Sequence, residues 1–479
     1  MVFSSLNFLF IFLPITLLLY YICKDITWKN VILLIASLVF YAWGEPVYII
    51  LMVISILFNY LIGKDIEQSS HPKATLVFGI IINILILGYF KYSGMLVDTI
   101  NSIAGLSIHK RELALPVGIS FYTFQAMSYI IDVYRKDSKA QQKILPFAVY
   151  ITMFPQLIAG PIVRYEDIER QLTVRRFSGN DFSGGVLTFI KGLAQKVILA
   201  NCIGAVHTEI LGMTDRGAVV AWIGAIAYTL QIFNDFAGYS NMAIGLGKML
   251  GFTFPKNFDR PYASTSVTEF WRRWQKCAEL GLSKRGAVQA ASVTEFWRRW
   301  HISLSTWFKE YLYIPLGGNR KGKFRQVINL LIVWSLTGLW HGAAWNFVAW
   351  GLYYGILLIL EKFVLNKLRA KLPKAVNWLT TFIIVIIGWV FFFSNSFSGA
   401  ADYLGTMFGA NGFATADTLF YLLGYIVIMI LGMVPAVVSF DDNGKKPAVI
   451  KWIACILLFV LSVAFLVSES YNPFLYFRF

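Results

Sequence analysis

Apolar runs close to the length that a helix needs to cross a lipid bilayer recur from one end of this chain to the other. About 20 consecutive apolar residues span the hydrocarbon core. The candidate segments are residues 5–23, 30–43, 46–63, 74–92, 115–134, 143–163, 183–200, 217–233, 327–347, 349–366, 376–394, 417–438 and 449–468. Because lipid offers backbone groups no partner, only helices and closed barrels cross it. We therefore predict an all-α, polytopic transmembrane bundle of about 11–13 helices, some of them re-entrant or interfacial.

The composition excludes a soluble protein of ordinary type. Only 14% of the 479 residues are charged and 57% are hydrophobic, whereas soluble chains carry roughly 25% charged residues. Aromatic residues make up 16% of the chain, which suits a membrane because Trp and Tyr anchor helix ends at the headgroups.

The net charge of +16 indicates membrane topology rather than nucleic-acid binding. Lys and Arg gather in short loops, such as those holding Lys24, Lys29 and Lys64, and such loops remain in the cytoplasm. The turn at Gly44 and Glu45 is then outside, and the first helix runs from outside to inside. Four widely spaced cysteines, with no CxxC pair, predict no disulfide framework and no metal site.

The region 252–326 interrupts the apolar rhythm with basic and aromatic residues. Its aromatic and apolar side chains recur at helical spacing, at Trp297, Trp300, Leu304, Trp307, Phe308 and Tyr311. This pattern predicts an amphipathic helix at the cytoplasmic interface. Whether this helix only anchors the protein to headgroups or also serves a site stays open at this point.

The same region contains a repeated segment. SVTEFWRRW occurs at 266–274 and, identically, at 292–300, an offset of 26 residues. A single repeat does not make a solenoid, which needs several units. We interpret it as a local tandem duplication. Only the second copy leads into HISLS, so we expect that copy to hold the functional place.

His341 is the ionisable residue that most suggests chemistry, because it lies in an uncharged apolar stretch, VINLLIVWSLTGLWHGAAWNFVAWGLYYG. An ionisable residue at membrane depth is expensive and indicates function by default. Imidazole can take up and return a proton near neutral pH. A buried histidine bonded to another helix explains the position equally well on these grounds.

Three further polar residues invite the same question. His301 follows Trp300 and either faces a cavity shared with His341 or serves as a capping or interface residue. Asn234 and Asp235 lie in an apolar run with several glycines, which predicts a broken helix lining a cavity. MFPQLIAGPIVRY, at 153–165, predicts a second break.

Several segments in combination resemble one enzyme family. They are MVFSSLNFLFIFLP at the start, LPVGISFYTFQAMSYIIDVYR at 115–135, FPQLIAGPIVRY at 154–165, FAGYSNMAIGLGKMLGF at 236–252, NFDRPYAS at 257–264, SVTEFWRRWHISLSTWFKEYLYIPLGGNR at 292–320 and LTGLWHGAAWNFVAWGLYYG at 336–355. The chain thereby resembles the membrane-bound O-acyltransferase superfamily, in its bacterial branch that O-acetylates alginate, cellulose or peptidoglycan. The duplication departs from the family pattern.

The resemblance implies one membrane-embedded acyltransferase domain over residues 1–479, with its core at 115–355. It implies that His341 is catalytic and that His301 lines the same central tunnel. Further candidate residues for the tunnel or the donor site are Asn234, Asp235, Arg298, Arg299, Lys309, Trp340 and Asn346. The cationic residues among them are placed to attract donor phosphates, although a plain positive-inside topology explains them equally well.

The activity so implied is transfer of an acyl group, with acetyl expected, from a cytoplasmic thioester such as acetyl-CoA to an extracytoplasmic acceptor. No bound cofactor is expected. The expected partners are an extracytoplasmic acyltransferase or a polysaccharide acceptor, and the expected location is the bacterial inner membrane. Two alternatives stay open: a transporter with His341 and Asp235 as a proton relay, and a non-catalytic scaffold of an export complex.

Overall fold

Every element of regular secondary structure in the described part of the chain is a helix, as the apolar runs predict. The computed structural model describes residues 1–110, 113–157, 160–263, 292–415, 418–437, 448–468 and 475. In chain order the helices are α1 (Phe8–Ile22), α2 (Ile26–Ala42), α3 (Ile49–Gln68), α4 (Pro72–Ala104), α5 (Ile119–Arg135), α6 (Ile144–Thr152), α7 (Phe154–Leu157), α8 (Tyr165–Thr173), α9 (Gly179–Leu211), α10 (Ala218–Met249), α11 (Val293–Arg299), α12 (Ile302–Phe308), α13 (Lys323–His341), α14 (Trp345–Arg369), α15 (Lys374–Phe393), α16 (Phe397–Met407), α17 (Thr418–Val437) and α18 (Ala448–Ser468).

Among the described helices, eight are long and apolar enough to cross a membrane: α3, α4, α9, α10, α14, α15, α17 and α18. The apolar helices α1 and α2 are shorter. The all-α, multi-pass fold class is therefore confirmed, with fewer long spans than the predicted number of helices. Besides α1 and α2, the difference arises at three places. At 115–134 the helix α5 has 17 residues and is almost wholly buried, at 143–163 the chain is divided, and at 327–347 the helix α13 is not among the eight.

The chain divides into two compact units. Unit 1 comprises Met1–Val197, Phe236–Lys256 and Lys446–Phe479, and unit 2 comprises Ile198–Asp235 and Asn257–Lys445. The assignment of residues 1–479 to one acyltransferase domain stays a prediction.

Unit 1 has an aromatic core close to the start of the chain. The Phe3 ring stacks on Tyr239 with centroids 4.6 Å apart, and it lies 5.0 Å from Phe8 and 5.6 Å from Phe40. Phe154, on the short helix α7, packs edge-on against Phe8. The predicted break at 153–165 is confirmed, because α6 ends at Thr152 and α8 begins only at Tyr165.

The predicted break in the helix after Asn234 is wrong, since α10 runs without interruption from Ala218 to Met249. Its glycines serve close packing instead. Gly238 and Gly245 lie against the backbone of Gly192 and Gly185 on α9, where a Cβ would approach to within 2.8 Å. Small residues at such contacts allow membrane helices to approach closely.

Unit 2 has a core of indole, phenol and phenyl rings contributed by α11, α13, α14 and α15. Trp297 of α11 lies 4.9 Å from Trp334 of α13, 5.3 Å from Trp350 of α14 and 6.4 Å from Trp389 of α15, measured between ring centroids. Large aromatic side chains dominate core energetics because each buries roughly 150–250 Å². These ring contacts hold the four helices together, and His301 and His341 lie beside this aromatic core.

Candidate active site

His341 is the last residue of α13, and only 5% of its surface is exposed. Three aromatic rings stand edge-on around the imidazole. The centroid distances are 5.1 Å to Trp340, 5.1 Å to Trp350 and 5.4 Å to Phe392. These rings give the histidine an apolar surround that keeps bulk water away, which strengthens any polar interaction made there.

His301 lies at the junction between α11 and α12 and is 1% exposed. Its backbone has φ +45° and ψ +55°, in the left-handed region that a residue with a Cβ seldom adopts. Such strain costs roughly 1–3 kcal/mol and persists only where the surroundings enforce it. The conformation turns the chain sharply between α11 and α12, so the single amphipathic helix predicted from Trp297 through Tyr311 is wrong. The same turn fixes the place of the imidazole.

Asn257 enforces this turn from the segment before it. The Asn257 carbonyl accepts the Ile302 amide at 2.8 Å, and the Arg299 carbonyl accepts the Asp259 amide at 2.9 Å. The two segments are thus joined by backbone hydrogen bonds on both sides of His301. The left-handed residue is therefore held by its neighbours in the chain and by the segment that faces them.

The side chain of Asn257 also determines which nitrogen of His301 carries the proton. Its Oδ1 accepts hydrogen bonds from the Ser303 amide at 3.3 Å and the Ser303 hydroxyl at 2.9 Å, and it lies 3.2 Å from Nδ1 of His301. Because an amide N–H can only donate, the Asn257 atom at this point must be the oxygen. Nδ1 of His301 therefore donates, and in the neutral imidazole the lone pair is on Nε2.

The two histidines, 40 positions apart in the sequence, come together in unit 2. Their ring centroids are 6.5 Å apart, and Trp340 lies 5.8 Å from His301 and 5.1 Å from His341. Burial lowers the pKa of His301 to about 3, so this imidazole is neutral over the physiological range. Two buried imidazoles with a shared aromatic neighbour can hold and move a proton at one small polar group.

Asn346 and Asn234, two of the other predicted site residues, make contacts that hold helices together. Asn346 donates to the Ser394 carbonyl at 2.9 Å and thereby ties the start of α14 to the end of α15. Asn234 donates to the carbonyls of Leu230 and Gly432, and so links α10 to α17. Asp235 is buried beside it. A role for these residues in a tunnel stays a prediction.

The cationic candidates are partly neutralised by carboxylates close by. Arg298 and Arg299 share Glu295, at 3.0 Å and 2.7 Å, and Lys309 pairs with Glu310 at 2.9 Å. Burial lowers the pKa of Arg298 to about 9, against the opposing effect of Glu295. One net positive charge remains on the Arg298–Arg299–Glu295 group.

The second copy of the repeated segment forms α11, and its start is tied to α14. Ser292 caps the helix by accepting the Glu295 amide at 3.1 Å, and the buried Glu361 carboxylate accepts the Val293 amide at 2.9 Å. Carboxylates at a helix N-terminus are stabilising because they face unpaired amides and the positive end of the dipole. The first copy, 266–274, lies outside the described residues.

Sequence reasoning did not find the residues that surround the histidines. Asn257 lies in NFDRPY, a segment that supports the family resemblance but does not by itself indicate a role for the asparagine. Trp350 and Phe392 are two of many aromatic residues in the chain. A residue with three hydrogen-bond donors on one oxygen shows no signal in sequence, because its partners come from tertiary folding.

Comparison with known proteins assigns the chain to a family of membrane enzymes. The family model of MBOAT, the membrane-bound O-acyltransferase family, matches residues 138–279 and 284–398. The chain belongs to this family and is a membrane-bound O-acyltransferase.

Three relatives of known or inferred activity are similar to this chain. The chain is 37% identical to the "Probable alginate O-acetylase AlgI" of Pseudomonas putida over 100% of both chains. It is 32% identical to the peptidoglycan O-acetyltransferase of Helicobacter pylori, over 86% of this chain and 80% of that one. It is 26% identical to the teichoic acid D-alanyltransferase of Bacillus subtilis, over 56% of this chain and 65% of that one.

Proposed function

We propose that this protein transfers an acetyl group from cytoplasmic acetyl-CoA to a hydroxyl on the extracytoplasmic side of the bacterial inner membrane. His341 is the general base and His301 lines the same path. The observation that carries the proposal is the pair of buried imidazoles, 6.5 Å apart and walled by aromatic rings.

The chemistry follows from the acid–base properties of imidazole. His341 takes the proton from the acceptor hydroxyl as its oxygen attacks the thioester carbonyl. The tetrahedral intermediate collapses, the carbon–sulfur bond breaks, and the proton passes from His341 to the leaving CoA thiolate. His301, neutral and with its lone pair on Nε2, lines the same path and can accept a hydrogen bond from a second donor group of the acceptor, because the reacting hydroxyl gives its one proton to His341.

The membrane position supports a transfer between two sides. CoA is large and anionic and does not cross lipid, whereas an acetyl group is small and uncharged. The net positive charge on α11 suits a donor with phosphates, on the side where positive residues remain. This charge pattern supports a cytoplasmic donor and transfer outward across the membrane.

The relatives suggest the acceptor class. Their names refer to alginate, peptidoglycan and teichoic acid, which are polymers outside the cytoplasmic membrane. We infer an exported or cell-surface polysaccharide, reached directly or through an extracytoplasmic acyltransferase partner.

The test uses the full chain in inverted membrane vesicles of an expressing bacterium, with acetyl-CoA radiolabelled in the acetyl group. Wild-type vesicles should transfer label to the polysaccharide fraction. In His341→Ala vesicles the rate of this transfer should be at least about a hundredfold lower, which is the low end for loss of a general base. His71→Ala, which alters an exposed histidine, should transfer label like wild type.

Two results would contradict the proposal. No label transfer by wild-type vesicles favours a scaffold, and undiminished transfer by His341→Ala removes this residue from the chemistry. A transporter would instead accumulate intact labelled substrate in the vesicle lumen, in a manner that a proton uncoupler abolishes.

A further inference from the structure

Two cationic side chains lie buried together in unit 1, away from both histidines in the sequence. Lys29 of α2 is 6% exposed and Arg175, which follows α8, is 8% exposed. The Lys29 ammonium is 3.7 Å from the centre of the Phe177 ring and 4.9 Å from that of Tyr20. The Arg175 guanidinium lies 4.4 Å from the Phe252 ring. We call this set the cation cage; its members are Tyr20, Tyr21, Lys29, Arg175, Phe177 and Phe252.

No carboxylate of the described residues balances the charge of the cation cage. Within the described residues, neither Lys29 nor Arg175 forms an ion pair with a carboxylate. Arg175 uses Nη2 to donate to Asn30, while its Nε and Nη1 are buried and make no hydrogen bond to any residue that the structure describes. The hydroxyls of Tyr20 and Tyr21 donate to the backbone carbonyls of residues 250 and 249.

Aromatic faces attract cations but do not remove their charge. A cation–π contact returns only a small part of the hydration free energy that a buried cation loses. Buried charges are accordingly paired or bound to counter-ions. In addition, Lys29 and Arg175 repel each other because both are positively charged. The cation cage therefore has the electrostatics of a site for an anion that arrives from outside the chain.

An apolar groove adjoins the cation cage along the same two helices. It lies between α1 and α2, has a volume of about 410 Å³, and is lined by residues that include Ile11, Ile15, Leu19, Ile32, Ile35 and Val39. Leu19 precedes Tyr20, and Ile32 is about one turn beyond Lys29. The groove thus leads to the cage, and an acyl chain suits its apolar walls.

We propose that the cation cage binds the phosphate of an anionic glycerophospholipid, one of whose acyl chains lies in the α1–α2 groove. Basic pockets between membrane helices recognise such headgroups, and Tyr and Lys residues concentrate at the level of the membrane interface. A lipid with a net negative charge is favoured over phosphatidylcholine, whose own ammonium cancels its phosphate. The apolar groove favours a lipid over a phosphate in solution.

The test compares thermal unfolding of the full-length protein in nanodiscs of phosphatidylcholine alone and of phosphatidylcholine with phosphatidylglycerol. Phosphatidylglycerol should raise the midpoint of wild type by at least about 2 °C. Lys29→Gln should remove most of this increase and, in phosphatidylcholine, should be at least as stable as wild type because it relieves the unbalanced charge. Lys24→Gln, which changes an exposed lysine five positions away, should respond like wild type.

The remaining outcomes each decide the proposal. An equal increase with inorganic phosphate in phosphatidylcholine nanodiscs would overturn the lipid as the source of the anion. No response of wild type to phosphatidylglycerol, or an undiminished response in Lys29→Gln, would overturn the site itself. Native mass spectrometry of the detergent-purified protein adds a direct readout: wild type should retain phosphatidylglycerol, and Lys29→Gln should lose it even if its stability is altered for another reason.

Discussion

At the scale of single residues, the histidine at 301 depends on one asparagine. Asn257 receives hydrogen bonds from His301 and Ser303 on one oxygen, and its backbone carbonyl receives the Ile302 amide. The side chain thus selects the tautomer of His301, and the backbone holds a left-handed turn that would otherwise relax. Asn257 acts through His301 and is a positioning residue for the proposed reaction.

Asn257→Ala should lower kcat for acyl transfer by roughly ten- to a hundredfold, equivalent to about 1.4–2.8 kcal/mol, because the imidazole loses its fixed tautomer and orientation. Asn257→Asp keeps an acceptor oxygen and should retain more activity. Its carboxylate should raise the pKa of His301 above its present value of about 3. Protonated His301 then persists to higher pH, so the acid limb of the pH–activity profile should move to higher pH.

The control for this prediction is Asn319→Ala, which changes an exposed asparagine and should leave both rate and pH profile unchanged. A purely structural role for Asn257 would lower the amount of folded enzyme in both variants and leave the pH profile of Asn257→Asp where it is in wild type.

At the scale of elements, the position of His341 depends on how closely α13 and α14 approach. Gly338 of α13 lies against the Phe347 carbonyl, and Gly351 of α14 lies against the Trp334 carbonyl, each with no space for a Cβ. The sequence shows small residues around His341, and from them a close approach could be predicted. The sequence does not show which helix makes this close approach, because many glycines in the chain are equally compatible with such a contact.

Gly351→Ala should therefore push α14 away from α13 and displace both His341, at the end of α13, and Trp350, which packs on it. We expect activity to fall by more than tenfold, since misplacement by about 1 Å can cost a hundredfold. Thermal unfolding should show a lower midpoint, as for other overpacked sites. Acyl transfer and thermal unfolding of the purified variant check both effects.

Gly424→Ala is the matched control, because a Cβ at this position on α17 meets no neighbouring residue within 4 Å in the described part of the chain. It should leave activity and midpoint unchanged. Wild-type activity in Gly351→Ala would show that α13 and α14 can separate without disturbing His341.

At the scale of the whole molecule, hydropathy and charge patterning sufficed for the fold class, and quoted motifs sufficed for the family. Both signals are local in sequence. The cation cage and the Asn257 contact could not be predicted, because they join segments such as α2 with Arg175, and residue 257 with 301, that only folding brings together. The predicted break in α10 is wrong, because the glycines of this helix mark a contact with α9 and not an interruption.

One copy of the duplicated segment, residues 292–300, suffices for the packing of α11. Residues 292–300 supply the capping Ser292, the Val293 amide bound by Glu361, and the Trp297 ring at the centre of the aromatic core. Removing residues 266–291, which yields the same sequence as removing 275–300, leaves a single SVTEFWRRW that leads directly into HISLS. The remaining copy can make all of these contacts.

We expect the deletion to preserve acyl-transfer activity or to raise it. Shortening a connection changes its closure entropy by only about 0.6 kcal/mol for each halving of length, and it removes an identical segment that can compete for the place of α11. Activity and thermal midpoint of the deleted and full-length proteins, measured in the same membranes, check this. A scrambled 266–274 at unchanged length should behave like the deletion. Complete loss of activity in both would show that the first copy is integral to the enzyme, and that the contacts of the second copy alone do not assemble the site.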